Sequence, residues 1–177
     1  MAPQEAAIPL EGGCDCGEVR YRMETEPMIV HCCHCRWCQR ETGASFALNA
    51  MIETERLKVL KGEPEWIKVP SASGAGQSIA RCPHCRIALW SIYLQNVAKI
   101  KESIWIVRVG TLDKPDLLPP NAHIWTSEKQ PWIVLSDDAP AFKTGDYDRE
   151  KVWSVQGLQR RQRVAELEDV QKGLLVE

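Results

Sequence analysis

The chain has 177 residues, 44% of them hydrophobic and 26% charged, with a formal net charge of −2. That balance excludes a disordered polar chain and offers no basic field to neutralise the phosphates of a nucleic acid. It also holds no apolar run near the roughly 18–20 residues that span a bilayer. One domain with an appended tail is the expectation.

Residues 1–11 read as a flexible leader, with Glu5 and neither a basic segment nor a long apolar run, so no export signal is expected there. A cytoplasmic setting follows as the expectation, and the eight cysteines then favour metal over disulfides. The leader gives way to Gly12-Gly13-Cys14-Asp15-Cys16-Gly17, a Cys-x-Cys knuckle between glycines. A disulfide across one intervening residue is badly strained, whereas two sulfurs flanking a metal are easily accommodated. Residues 18–24 alternate, with Val19, Tyr21 and Met23 on one face, as in a half-buried strand. After Pro27, Met28-Ile29-Val30 makes a short strand running into His31-Cys32-Cys33-His34-Cys35-Arg36-Trp37-Cys38.

Those eight residues carry four cysteines and two histidines. The Cys33-x-Cys35-x-x-Cys38 spacing lets a tight turn aim three sulfurs at one point about 2.3 Å from each. Gln39-Arg40-Glu41-Thr42 suits a helical turn, stopped by Gly43. Strands are then expected at 45–52, 57–60 and 66–69, with residues 70–76 forming an aperiodic surface loop. Arg81-Cys82-Pro83-His84-Cys85 brings a second Cys-x-x-Cys. Apolar residues 87–94 and 104–109 read as buried strands, and 123–125 and 132–135 as short ones. No strand–helix alternation appears, which disfavours a doubly wound sheet. From Arg149 onward Leu158, Val164, Leu167, Val170 and Leu174 recur at helical spacing, predicting an amphipathic helix over 149–177 that packs on the domain or pairs two copies as a homodimer. Arg160, Arg161 and Arg163 read as its solvated face. Trp66, Trp90, Trp105 and Trp132 are core by default.

The cysteines divide by arithmetic. Cys14, Cys16, Cys82 and Cys85 suggest a closed four-sulfur site, and Cys33, Cys35 and Cys38 an open one, lacking its fourth ligand. A competing grouping joins the trio to Cys82 or Cys85 around a single zinc. A third completes the trio with Cys32, His31 or His34 as a closed structural site. Cys32 reads otherwise as a small buried hydrophobe, and His34 as a group turned away from the trio.

The same motifs resemble a known family. Gly12 to Tyr21, Cys33-His34-Cys35-Arg36-Trp37-Cys38 with Thr42-Gly43-Ala44-Ser45-Phe46, and Arg81-Cys82-Pro83-His84-Cys85 are similar, in that order, to the three signatures of the Gfa/CENP-V family of glutathione-dependent formaldehyde-activating enzymes. Gly110-Thr111-Leu112-Asp113, His123-Ile124 and Lys129 to Ile133 resemble its closing elements, so the likeness runs over about residues 12–142 of a zinc domain bounded at 12–148. It implies a mainly β, β-tent fold of short antiparallel strands stapled by zinc knuckles. It implies two zinc ions, a structural one at Cys14, Cys16, Cys82 and Cys85 and an active-site one at Cys33, Cys35 and Cys38. It also implies a carbon–sulfur lyase activity on S-(hydroxymethyl)glutathione. Two positions depart from the pattern: Arg86 stands where a glycine usually follows the last cysteine, and Gln39 precedes Arg40 where arginine usually follows Cys38 directly.

The implied chemistry suits the residues. A divalent zinc with three thiolates carries net charge −1 and is a weak generator of hydroxide, but it can hold a small-molecule thiol such as glutathione as thiolate. Arg36, Arg40, His31 and His34 are available to offset the negative charge, and Arg40, His123 and Trp132 are the candidate substrate contacts. The competing function is a non-catalytic, zinc-stabilised binding module acting through protein partners. A reductase using Cys32 and Cys33 is disfavoured, because a disulfide between neighbours is strained.

Overall fold

The computed structural model describes residues 8–71, 74–94 and 103–174, with side chains through residue 167. The leader before residue 8, the tip of the 70–76 loop, and the side chains of Val170 and Leu174 therefore lie outside the described residues. Among the described residues the fold is mainly β: ten strands in two sheets, a short helix in the cysteine-rich stretch, and one C-terminal helix.

The smaller sheet has the order β1 (Leu10–Gly13), β2 (Arg20–Met23), β5 (Leu57–Lys61), all antiparallel. The larger has the order β10 (Ala122–Ile124), β3 (Ile29–Cys33), β4 (Ala47–Glu53), β9 (Ile104–Arg108), β8 (Ala88–Tyr93), β7 (Gln77–Arg81), β6 (Glu65–Val69). Every pair in it is antiparallel except β10–β3, which is parallel and so departs from the all-antiparallel expectation. Leu10 and Glu11, placed in the leader by sequence, belong to β1. β7 escaped the sequence reading because Gln77 and Ser78 at its start are polar, although Gln77 is buried.

Period-2 alternation gives the larger sheet two apolar faces. Val30, Ala50, Val107 and Trp90 lie opposite one another across β3, β4, β9 and β8. They join Tyr21, Met23 and Leu57 of the small sheet in the main core. Tyr21 meets Trp90 edge-on at 5.5 Å, and Trp90 stacks on Trp105 at 5.1 Å. On the other face Ile29, Met51 and Ile104 pack against the C-terminal segment, with Trp153, Leu158 and Val164 covering them.

The C-terminal helix α2 spans Val155–Leu174, after a single 3-10 turn at Arg149–Lys151. Gly157 lets it approach closely: a Cβ there would lie 2.5 Å from the Met28 carbonyl oxygen. Two sequence expectations for this helix change. Leu167 is exposed, and Arg160 is not simply solvated, since its guanidinium pairs with buried Glu53 and donates to the Glu26 carbonyl at 2.8 Å. Among the described residues no helix is long and apolar enough to cross a membrane.

The expected strand at 132–135 is a turn followed by irregular chain. The free edge of β10 it would need is taken by residues 140–142, where the His123 N–H donates to the Pro140 carbonyl and the Phe142 N–H to the His123 carbonyl, both at 2.8 Å. Trp132 is consequently 66% exposed, and Trp66, on the edge strand β6, is 41% exposed against Trp105. Neither is core.

Candidate metal centres

The first centre is built by two knuckles distant in sequence. Cys14 ends the β1 hairpin edge and Cys82 follows β7; the sulfurs of Cys14, Cys16, Cys82 and Cys85 all lie within 4.8 Å of one another. Cys14 to Cys16 is 3.5 Å and Cys16 to Cys82 is 3.6 Å. A tetrahedron with metal–sulfur bonds of about 2.3 Å has edges close to those separations, so the four thiols fit a zinc ion. Backbone N–H groups of Val19 and His84 already donate to the Cys14 and Cys82 sulfurs, at 3.2 and 3.4 Å. The Ile87 N–H, with help from Cys16, pulls the Cys85 thiol down to about 6. Such donors stabilise thiolates, the form a metal requires.

The backbone at Arg86 accounts for the glycine usually found there. Its φ is +64°, in the left-handed region, and its N–H donates to the Cys82 carbonyl at 3.0 Å. A glycine reaches this conformation without steric cost; here an arginine is held in it, with its guanidinium paired to Glu65.

The second centre is the trio. Cys33 closes β3, and Cys35 is the N-cap of α1 (Arg36–Thr42), its sulfur accepting from the Cys38 N–H at 3.3 Å. Cys38 lies in the first turn. Gly43 ends the helix in the left-handed conformation at φ 69°. The three sulfurs lie within 4.8 Å of one another, and among the described residues no fourth cysteine, histidine or carboxylate joins them. Bonds from Cys33 and Cys38 pull Cys35 down to about 3, and the same crowding pushes Cys33 up. Cys38 is pushed up to about 11: its bond with Cys33 opposes this, while Cys35 and burial drive it. The trio thus shares protons in a space that suits one multivalent cation.

The histidines and the cysteine offered by sequence to close this site are engaged elsewhere. His31 Nε2 meets the Tyr147 hydroxyl at 2.5 Å, and burial, with the charge of Arg149, pushes the imidazole down to about 4, so it carries no charge at neutral pH. Cys32 and His34 face away from the trio and converge instead with His123.

α1 is fixed on both sides. Glu41, its carboxylate side chain only 6% exposed, pairs with Arg81 of β7 and accepts from Arg108 of β9 at 2.7 Å. Arg81 directly precedes Cys82, so one carboxylate links the helix bearing Cys38 to the knuckle of the first centre. Gln39 is a second tie: it donates to the carbonyls of His34 at 2.5 Å and Glu128 at 3.0 Å, and accepts from Arg36 and Gln130. The Arg36 N–H donates to Glu128. None of Glu41, Arg81, Arg108 or Glu128 was singled out by sequence as part of the site. Their partners lie 40 to 92 residues away, so no local pattern marks them.

Two hollows flank α1. Residues 36, 39, 40 and 43 share one helical face and line an open depression of about 530 Å³ with Ser45 and Gln130. Glu41 and Thr42 line a cavity of about 460 Å³ with Phe46, Arg81 and Arg108. Of the candidate substrate contacts, Arg40 is exposed on the depression, His123 is buried beside His34, and Trp132 stands in the exposed 131–134 turn.

The family profile described as glutathione-dependent formaldehyde-activating enzyme matches residues 9–128. A protein of Halomonas elongata, provisionally named a glutathione-dependent formaldehyde-activating enzyme, is 26% identical over 130 residues, 71% of this chain and 80% of that protein. A Rhodobacter sphaeroides crystal structure matches 58% of this chain and 87% of its own at 19% identity, with a TM-score of 0.40. The profile match takes in all three cysteine groups and both hollows' helix, and on that match the chain belongs to the glutathione-dependent formaldehyde-activating enzyme family.

Proposed function

We propose that this chain is a zinc-dependent carbon–sulfur lyase of the cytoplasm, which forms or breaks a thiol adduct such as S-(hydroxymethyl)glutathione at Cys33, Cys35 and Cys38. The observation that carries the reading is a three-sulfur cluster with no fourth protein ligand among the described residues, two of its cysteines on a helix whose other side chains line a depression with two arginines and two amides. Family membership supports glutathione as the thiol and formaldehyde as the electrophile of this reading.

In the forming direction the thiolate sulfur attacks the aldehyde carbon, the carbonyl electron pair moves to oxygen, and the proton released from the thiol ends on that oxygen. Cys33, Cys35 and Cys38 would hold a zinc ion, which would favour the thiolate form of the substrate sulfur. The protein's own residues hold the substrate. Arg36 and Arg40 face the depression as partners for the carboxylates of a peptide thiol, Gln130 offers its remaining amide groups to the peptide's backbone, and Gln39, whose own amide is fully bonded, fixes Arg36 and Gln130 in place. Holding sulfur and carboxylates together turns encounter with the aldehyde into an oriented reaction. The four-cysteine centre has no open position and serves the fold, tying β1 to β7.

The test compares adduct formation from glutathione and formaldehyde with and without protein, above the spontaneous background. Cys35→Ser abolishes the enzymatic part while the protein keeps the metal of its four-cysteine centre. Full thiol-dependent activity in that variant contradicts the reading.

A further inference from the structure

β3 and β10 run parallel, with His123 directly opposite Cys32 and Ile124 opposite Cys33. Alternation therefore puts Cys33 on one face with Ile124, and Cys32 on the other with His123. His34, two residues after Cys32, returns to the Cys32 face. The result is a convergence of three donors separate from the catalytic trio: His34 Nε2 lies 3.5 Å from the Cys32 sulfur and 3.1 Å from His123 Nδ1, and all three atoms fall within 4.8 Å of one another. The three residues are buried, with exposures of 2%, 0% and 8% for Cys32, His34 and His123.

A hydrogen bond between the imidazoles accounts for only part of this. One proton serves one of the two contacts at His34 Nε2, whereas a cation accepts all three lone pairs at once. The other ring nitrogen of His34 is buried and has no hydrogen-bond partner among the described residues, so the ring's polar engagement lies wholly at the point of convergence.

We propose that Cys32, His34 and His123 form a metal site of their own, for a soft monovalent ion, Cu(I). One thiolate and two imidazoles are a soft donor set. Three ligands satisfy monovalent copper, and the burial leaves little access for a fourth. Charge favours copper over a divalent ion: Cu(I) with one thiolate is neutral and needs no counter-charge in the buried site, whereas zinc with the same ligands carries a net positive charge. The proposal does not depend on the activity assigned to the trio.

The test uses the full zinc-loaded chain, titrated anaerobically with Cu(I) held by a weak competing chelator, with copper and zinc both counted by elemental analysis. Wild type takes up one copper per chain and keeps its zinc, and X-ray absorption at the copper edge fits one sulfur and two nitrogens. His123→Asn and, independently, Cys32→Ser lower the copper affinity at least tenfold with zinc content unchanged, the retained zinc reporting that each variant is folded. Copper uptake matched by zinc release, a coordination of three or four sulfurs, uptake unaltered in both variants, or no uptake at all would overturn it.

Discussion

Glu41 Oε2 accepts a hydrogen bond from Arg108 Nη2 at 2.7 Å, while its other oxygen is held by Arg81. Through this one carboxylate the helix that carries Cys38 is locked to two strands of the large sheet, one of which runs straight into the Cys82 knuckle. The two cysteine clusters are therefore mechanically joined, although they share no residue.

Removing that carboxylate leaves two arginines facing each other, one of them nearly buried. Glu41→Ala is expected to cost about 3 kcal/mol, the usual penalty for breaking a buried pair from one side. Urea unfolding midpoints measure the loss. A chelator titration adds a local readout, since the trio should release its metal at lower chelator concentration than the four-cysteine centre does.

Arg40 lies on the exposed face of α1, on the depression. Arg40→Ala should raise KM for glutathione about tenfold, the equivalent of one charge-assisted hydrogen bond, with kcat little changed. Steady-state kinetics at varied glutathione check this. A fall in kcat at constant KM would instead give Arg40 a role in the chemical step.

Arg86 holds a left-handed backbone that costs a side-chain-bearing residue about 1–2 kcal/mol. Its ion pair with Glu65 is exposed on both sides and returns less than about 1 kcal/mol. Arg86→Gly should therefore stabilise the protein, by about 1 kcal/mol, and raise the thermal midpoint. A lower midpoint would mean that the Glu65 pair outweighs the backbone.

The C-terminal helix is docked by charge as well as by Trp153 and Val164. Burial raises the proton affinity of Glu53, but the hydrogen bonds from Arg160 outweigh it and hold the carboxyl below its ordinary value of 4.5. A depressed carboxylate stabilises the fold above the unfolded value and loses that contribution as pH falls through the folded one. Arg160→Ala should cost about 2 kcal/mol at pH 7, less than a full buried-pair loss because Arg56 also reaches Glu53 at 3.2 Å. The gap between variant and wild type should narrow below pH 4.5. Unfolding curves at neutral and acidic pH test both the size and the sign.

Much of this was legible in the sequence. The strands around Tyr21 and Ala50 announce themselves by alternation and that around Val107 by an unbroken apolar run, and Cys-x-Cys and Cys-x-x-Cys spacings mark the knuckles because their geometry is local. The rest depends on pairings between distant strands. The Cys32, His34 and His123 convergence needs the parallel register of β10 on β3, which neither segment encodes alone; Cys32-x-His34 at strand spacing was its only local trace. Trp132 misled because an apolar run reads as a strand until its would-be edge is found occupied by residues 140–142. The two departures from the family pattern are also readable only in three dimensions: Gln39 ties four partners around the trio, while Arg86 sits at a backbone angle that explains the usual glycine and leaves the arginine without a structural reason.

The most direct test of the open trio is optical. With cobalt in place of zinc, adding glutathione should change the sulfur-to-metal charge-transfer absorption as a fourth sulfur enters the coordination of Cys33, Cys35 and Cys38. S-methylglutathione, which cannot supply a thiolate, should not, and Cys35→Ser should lose the response. A spectrum indifferent to glutathione would mean a closed site, and would contradict the assignment of catalysis to the trio.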